Sequence, residues 1–170
     1  MSKVVYEDPE IRTFAAGEEH EGIFLPGVFP ADIKIEWEFK PIKGAGCAAV
    51  SFAMKDENAF HMVYFRRGSE EDRAFHVCSL IKDAGNGVVA AGADPLPDLY
   101  PEYSGKELSW YRMTILKKGR DVAFWINDLE ILSFHDDGMT HGEMLTGGNV
   151  VIRQDGDLAA EYRNLKVTWI

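Results

Sequence analysis

Residues 147–170 read G-G-N-V-V-I-R-Q-D-G-D-L-A-A-E-Y-R-N-L-K-V-T-W-I. The stretch predicts a strand over Asn149–Arg153, a turn at Asp155–Asp157 and a closing strand over Ala160–Trp169. Asp-Gly between two apolar runs is a strong hairpin signal. In the closing strand apolar and polar residues alternate, which predicts one apolar and one polar face. Such a strand must lie in a sheet whose other strands come from much earlier in the chain.

The same period of two runs through nearly the whole chain. Ile33–Lys40 is the clearest case, because an apolar residue alternates with a charged one throughout. No segment shows a sustained 3.6-residue period with caps. About a dozen short strands with turn signals are typical of an antiparallel sandwich. We therefore predict an all-β antiparallel two-sheet jelly roll, one domain over residues 1–170, with the N-terminal strand beside Ala160–Trp169.

Composition and charge restrict the partners. The 170 residues carry a net charge of −10, with no basic block. An anionic surface repels phosphate backbones, so we expect no nucleic-acid partner. No apolar run approaches the roughly 18 residues of a membrane-spanning helix, so we expect no membrane partner. The N-terminus lacks the apolar core of a signal peptide, which predicts a cytoplasmic protein.

Several segments resemble a known family of concanavalin A-like jelly rolls. They are W-Y-R-M-T-I-L-K-K-G-R-D-V-A-F-W-I-N-D (110–128), G-N-V-V-I-R-Q-D-G (148–156) and E-Y-R-N-L-K-V (161–167), together with F-H-M-V-Y-F (60–65). The likeness is closest to the YesU-like family and weaker to the 3-keto-disaccharide hydrolase domains. Most of these pieces belong to the framework of the fold. Only His61 and the pair Arg153-Gln154 look peculiar to the YesU-like family.

The resemblance implies a function as well as a fold. It implies the two-sheet sandwich of concanavalin A-like lectins and glucanases, with a concave face. It also implies an association with plant pectin oligosaccharides such as rhamnogalacturonan. We therefore expect an oligosaccharide ligand, and we expect no cofactor.

The alternation of residues suggests where a sugar would bind. In Gly46–Met54 bulky side chains alternate with small ones, so one face of the strand carries only small residues. That face would form the low floor of a sugar-binding cleft, or a surface that another segment covers. We assign Phe60, Met62 and Tyr64 to the core, which would place His61 and Arg67 on the floor. Histidine suits acid–base chemistry near neutral pH, and arginine can hold a uronate carboxylate with two hydrogen bonds. A surface histidine beside a surface arginine is the alternative.

Four further residues are candidates for substrate binding. His76 is either a second cleft histidine or a buried, hydrogen-bonded one. Arg153 and the neighbouring Gln154 could reach the same concavity, the alternative for Arg153 being an ion pair with Glu161. Trp125 lies opposite the apolar set of its strand and is either a sugar-stacking platform or part of a second core face. We predict that His61, Arg67, Trp125 and Arg153 share one concave face.

Other constellations are weaker. Glu36 and Glu38 are spaced roughly as a glycosidase pair could be, but they alternate with a core face and lie between lysines, which favours a solvated charged face. The spacing of His135–Asp137 and His141 does not establish a metal site. Asp155–Asp157 is explained by the turn, with a structural calcium as the alternative.

Two classes of function remain. The first is a lyase or glycoside hydrolase acting on acidic oligosaccharides, with His61 as acid or base and Arg67 and Arg153 neutralising a carboxylate. The second is a non-catalytic sugar-binding or scaffold jelly roll. The histidine–arginine floor favours the first, and the lack of a carboxylate pair favours the second. A homo-oligomer is compatible with both.

Cys47 and Cys78 both lie in apolar runs, which predicts buried, reduced thiols. Thiol titration under denaturing, non-reducing conditions should therefore find two free thiols per chain. A titration that finds none would mean that the two cysteines are bridged.

Overall fold

The computed structural model describes residues 2–14, 22–44, 46–67, 77–82, 87–93, 95 and 110–170, with only the backbone of residues 66 and 67. These residues contain thirteen strands in two antiparallel sheets. No helix in the described part of the chain is both long and apolar enough to cross a bilayer. The predicted all-β two-sheet architecture is confirmed.

The first sheet has seven strands, and its order is β1-β13-β4-β9-β10-β11, with β2 also paired to β13. Its strands are β1 (Lys3–Asp8), β2 (Arg12–Phe14), β4 (Ile33–Lys43), β9 (Tyr111–Lys118), β10 (Asp121–Ile126), β11 (Leu129–His135) and β13 (Ala159–Trp169). As predicted, the N-terminal strand pairs with the last one, and Lys3 lies opposite Trp169.

The second sheet has six strands in the order β3-β12-β5-β6-β7-β8. Its strands are β3 (Ile23–Phe24), β5 (Gly46–Asp56), β6 (Ala59–Arg67), β7 (Val77–Lys82), β8 (Val88–Ala93) and β12 (Asn149–Gly156). Strands β5 to β8 form a continuous meander, so this sheet gathers the middle of the chain.

The predicted hairpin at the end of the chain is wrong. Strand β12 pairs with β5 in the six-stranded sheet, whereas β13 pairs with β4 in the seven-stranded sheet. The Asp-Gly turn therefore carries the chain from one sheet to the other, and Leu158 after it is fully buried. At the same corner the connection from β4 to β5 crosses too, and a Cβ on Gly44 would lie 1.9 Å from the carbonyl oxygen of Asp157. Each strand gains a long neighbour and a buried face, which a two-stranded hairpin does not provide.

The two sheets are joined by an aromatic cluster. Phe65 of the six-stranded sheet meets Trp37, Phe39 and Tyr162 of the seven-stranded sheet, with ring centroids 5.2, 4.9 and 6.3 Å apart. The rings meet mainly edge to face, which aromatic quadrupoles favour. All four side chains are buried. This cluster fixes which side of β6 faces the core.

Truncating the centre of this cluster should cost more than truncating an exposed apolar side chain. Phe65→Ala should lower the free energy of unfolding by about 3–5 kcal/mol, because it leaves a cavity between the sheets. Met139 is 82% exposed, and Met139→Ala should change stability by less than about 0.5 kcal/mol. Urea unfolding of both variants measures the difference. Equal midpoints would contradict the assigned core.

Candidate functional site

The small side chains of β5 lie on the outer face of the six-stranded sheet, as the alternation predicts. In β5, Val50 and Phe52 point to the core, while Cys47, Ala49 and Ser51 lie on the outer side. A depression of about 150 Å³ opens there, lined by Cys47, Ala49, Met62, Tyr64, Arg153, Gln154 and Asp155. The small residues of β5 therefore lie between the larger side chains of β6 and β12.

A bulge shapes one end of the floor. Ala53 has φ of 49°, in the left-handed region, and the pairing of β5 with both neighbours shifts here. The shift reverses the alternation, since Ala53 joins the core instead of the floor. The sequence predicts that Met54 faces the core, but in the structure it faces outward. Its Sδ lies 4.0 Å from an Nη of Arg153.

Two charged residues line this depression, Arg153 and Asp155, and Arg153 is the cation. It shares the outer face of β12 with Asn149 and Val151, as predicted. Its Nε is buried and has no hydrogen-bond partner within the described residues, and the same holds for Ser51 Oγ. The alternative ion pair with Glu161 is not formed. Glu161 belongs to β13 of the other sheet, where it lies opposite Thr13 of β2 and Lys40 of β4. The guanidinium thus has unfilled hydrogen-bonding capacity beside a small-residue floor.

The predicted direction of His61 is wrong. His61 points between the sheets with Val63 and Phe65 and is 1% exposed, while Met62 and Tyr64 line the outer depression. Both faces of β6 carry large apolar residues, so the alternation could not decide between them. The packing of Phe65 decides it, and His61 follows because it lies four residues earlier. His61 therefore does not share a face with Arg153.

His61 belongs instead to a buried polar cluster at one end of the core. It pairs across the strands with Phe52 and Lys82, and its ring lies 5.3 Å from that of Phe52. Burial, reinforced by the charges of Lys117 and Lys82 and opposed by Asp136, lowers the pKa of His61 to about 4. The imidazole is therefore neutral at pH 7.

An ion pair in this cluster joins β7 of the six-stranded sheet to the segment that follows β11. Lys82 Nζ lies 2.7 Å from Asp136 Oδ2, and both side chains are almost fully buried. Lys82 also donates to the carbonyl of Gly142, and the buried Lys117 donates to that of Ala31. Sequence reasoning missed both lysines. The alternation of residues could have indicated their burial. Lys82 lies two residues after Leu80 and Lys117 two residues after Ile115, so each lysine is on the core face of its strand.

The remaining predicted site residues do not meet on one face. Trp125 lies on the face of β10 that does not carry Val122, Phe124 and Ile126, as predicted. That face is the outer face of the seven-stranded sheet, across the sandwich from Arg153. Gln154 points inward, donates to the carbonyl of Leu158 and accepts from the Tyr162 hydroxyl. The backbone of residue 67 pairs with Cys47. The side chain of Arg67, like all of His76, lies outside the described residues.

The acidic candidates have internal partners. Glu38 accepts two hydrogen bonds from Arg163, which together with Asn164 hold its pKa below the usual range. Within the described ranges no three His, Cys, Asp or Glu side chains come together as metal ligands. Neither cysteine is bridged; Cys78 is buried as predicted, whereas Cys47 is only partly buried because it lines the outer depression.

Comparison with known proteins identifies the family. Residues 53–167 match the model of the domain of unknown function DUF1961. The chain belongs to the DUF1961 family. The uncharacterized protein YesU of Bacillus subtilis strain 168 is 36% identical to this DUF1961 chain, over 88% of the chain and 77% of YesU. The predicted likeness to YesU is confirmed.

Solved structures confirm the fold of this DUF1961 protein. A Bacillus subtilis protein of unknown function with a galectin-like fold superimposes with a TM-score of 0.80 and 27% identity, over 99% of this chain and 98% of that one. The carbohydrate-binding module CBM66 from Bacillus subtilis superimposes with a TM-score of 0.61 and 14% identity, over 93% and 94%. The second likeness shows the fold alone.

The buried histidine should make stability depend on pH. The folded pKa of about 4 lies below the ordinary 6.5. As pH falls through 6.5 the unfolded chain binds a proton that the folded chain does not, so stability falls between pH 6.5 and 4. The loss should reach roughly 3 kcal/mol. His61→Leu should remove this component while Lys82, Lys117 and Asp136 remain. Urea unfolding at a series of pH values measures it, and parallel curves for both proteins would show that His61 is not buried.

Proposed function

We propose that this protein is a carbohydrate-binding jelly roll that holds acidic oligosaccharides on the outer face of its six-stranded sheet. The observation that carries the proposal is Arg153. Its guanidinium is half-buried and has no carboxylate partner within the described residues. A uronate carboxylate would supply the missing acceptors, and charge-assisted pairs of this kind are strong and directional.

The rest of the floor suits a sugar ring. Ala49 adds only a methyl group to the lining of the depression, between Tyr64 and Arg153. Tyr64 contributes aromatic surface at the side of the depression. The similarity to a carbohydrate-binding module supports a sugar as ligand, and the resemblance to the YesU-like family favours pectin-derived oligosaccharides. Arg67 stays part of the proposed site, because its backbone neighbours Cys47 on this floor.

Binding without turnover is the function that this face supports best. The histidine expected to act as acid or base lies in the core, neutral and 1% exposed. General acid–base catalysis needs a titrating group within hydrogen-bonding reach of the substrate. His61 is not within reach of a ligand held by Arg153. We therefore favour the non-catalytic alternative. The homo-oligomer and the cytoplasmic location stay predictions, which sedimentation and fractionation would test.

Removing the floor arginine should weaken binding of an acidic ligand. Arg153→Ala should lower the affinity for oligogalacturonates by about tenfold or more, since hydrogen bonds to charged groups are lost. Wild-type affinity should fall as salt rises. Calorimetric titration measures both.

Arg12→Ala is the matched control for this experiment. It removes the same charge from β2 of the other sheet, where Arg12 pairs with Asp8, and it should retain wild-type affinity. Equal losses in the two variants would indicate a general charge effect. Absence of oligogalacturonate binding to the wild type would reject the proposed ligand.

A further inference from the structure

A second concave surface lies on the opposite side of the sandwich. It is a groove of about 430 Å³ on the outer face of the seven-stranded sheet, lined from four strands. This volume is within the usual range of small-molecule sites, roughly 300–1,000 Å³. Glu7 and Pro9 form one wall. The groove shares no lining residue with the depression around Arg153.

A bulge in the last strand contributes to the groove. The pairing of β13 with β4 shifts between Arg163 and Lys166, and Asn164 adopts φ of 53° there. The Asn164 amide donates to the Glu38 carboxylate. The Arg163 guanidinium binds the same carboxylate and lies 4.0 Å above the centre of the Trp110 ring. These contacts fix the position of Glu38 beside the groove.

A row of side chains connects the groove to Trp125. Lys166 is opposite Glu36, Glu36 is opposite Thr114, and Thr114 is opposite Trp125. Directly opposite residues share a face at the spacing of neighbouring strands, about 4.8 Å. The first three line the groove. The half-buried indole therefore borders it, and its flat apolar surface can pack against the apolar face of a sugar ring.

Four of the five charged residues that line this groove have a partner of opposite charge. Glu36 lies 3.3 Å from Lys34 and 3.8 Å from Lys166, and Arg163 neutralises Glu38. Arg112 lies 3.0 Å from Asp128. An anionic ligand would have to displace these carboxylates. The side chains of Glu36 and Glu38 remain partly exposed, at 34% and 24%.

Those carboxylates keep capacity for hydroxyl groups. An ionised carboxylate offers about four lone-pair sites, and the ion pairs of Glu36 leave some of them open. Hydroxyl groups both donate and accept, so they can satisfy paired carboxylates and ammonium groups together. We propose that this groove is a second binding site, which takes neutral oligosaccharides with a sugar ring stacked on Trp125. This second site is additional to the site around Arg153, which is proposed for acidic oligosaccharides.

The test uses the full chain and two ligand classes. Calorimetric titration with neutral gluco-, galacto- and xylo-oligosaccharides should give binding that is insensitive to salt between about 0.05 and 0.5 M. Trp125→Ala and Glu36→Gln should each lower that affinity by about tenfold. Glu36→Gln is a surface change, so it keeps the test valid if the tryptophan variant folds poorly.

Two control variants separate this site from the one on the other face. Trp169→Ala removes a half-exposed tryptophan outside the groove and should retain neutral-sugar binding. Arg153→Ala should retain it too while losing oligogalacturonate binding, so the two sites fail independently. The proposal is overturned if no neutral oligosaccharide binds. It is equally overturned if neutral binding is lost in Arg153→Ala and kept in Trp125→Ala and Glu36→Gln.

Discussion

The packing of Phe65 between Trp37, Phe39 and Tyr162 is the contact on which the arrangement of the molecule depends. It presses the two sheets together at the centre of the core. It also sets the direction of the side chains from His61 to Tyr64 in β6, because neighbours in a regular strand alternate between faces. With Phe65 inside, Tyr64 must be outside. One aromatic contact thus selects which residues reach the surface where a ligand could bind.

The same constraint explains the charged end of the core. In β6 the side chains of Phe65, Val63 and His61 all point inward. A polar residue therefore lies in the interior. Lys82 on the neighbouring strand is also directed inward, and Asp136, which follows β11 of the other sheet, neutralises it. A buried charge without its partner would cost several kcal/mol (about 3–5). The histidine remains neutral, because burial and the nearby lysines disfavour its charged form.

The two outer faces differ in the state of their charged groups. On the six-stranded sheet Arg153 lies on a floor of small residues without a carboxylate partner in the described part of the chain. On the seven-stranded sheet Glu36 and Glu38 of the groove are paired with cations, and a tryptophan lies beside them. An unpaired cation favours an anionic ligand, and balanced pairs favour a neutral one. Opposite faces of one sandwich can therefore select different sugars.

The sequence by itself determined the strands, the two-sheet fold and the outward position of Arg153, because a period of two is local information. It also determined that the small side chains of β5 lie on its outer face, up to the bulge at Ala53. The sequence could not determine which face of β6 points to the core, because both faces carry large apolar residues. The prediction therefore placed His61 on the wrong face. Nor could it place Trp125, since alternation tells which face of a strand a residue occupies but not which sheet the strand joins.

Only the tertiary structure decided those points, because they depend on contacts between residues far apart in the chain. The Asp-Gly turn before β13 is locally a hairpin signal, yet long partners in separate sheets bury more surface than the hairpin would. The groove beside Glu36 likewise arises where four strands meet at a bulge. Sheet membership and bulge position are set by the packing of the whole core, and no local pattern contains them.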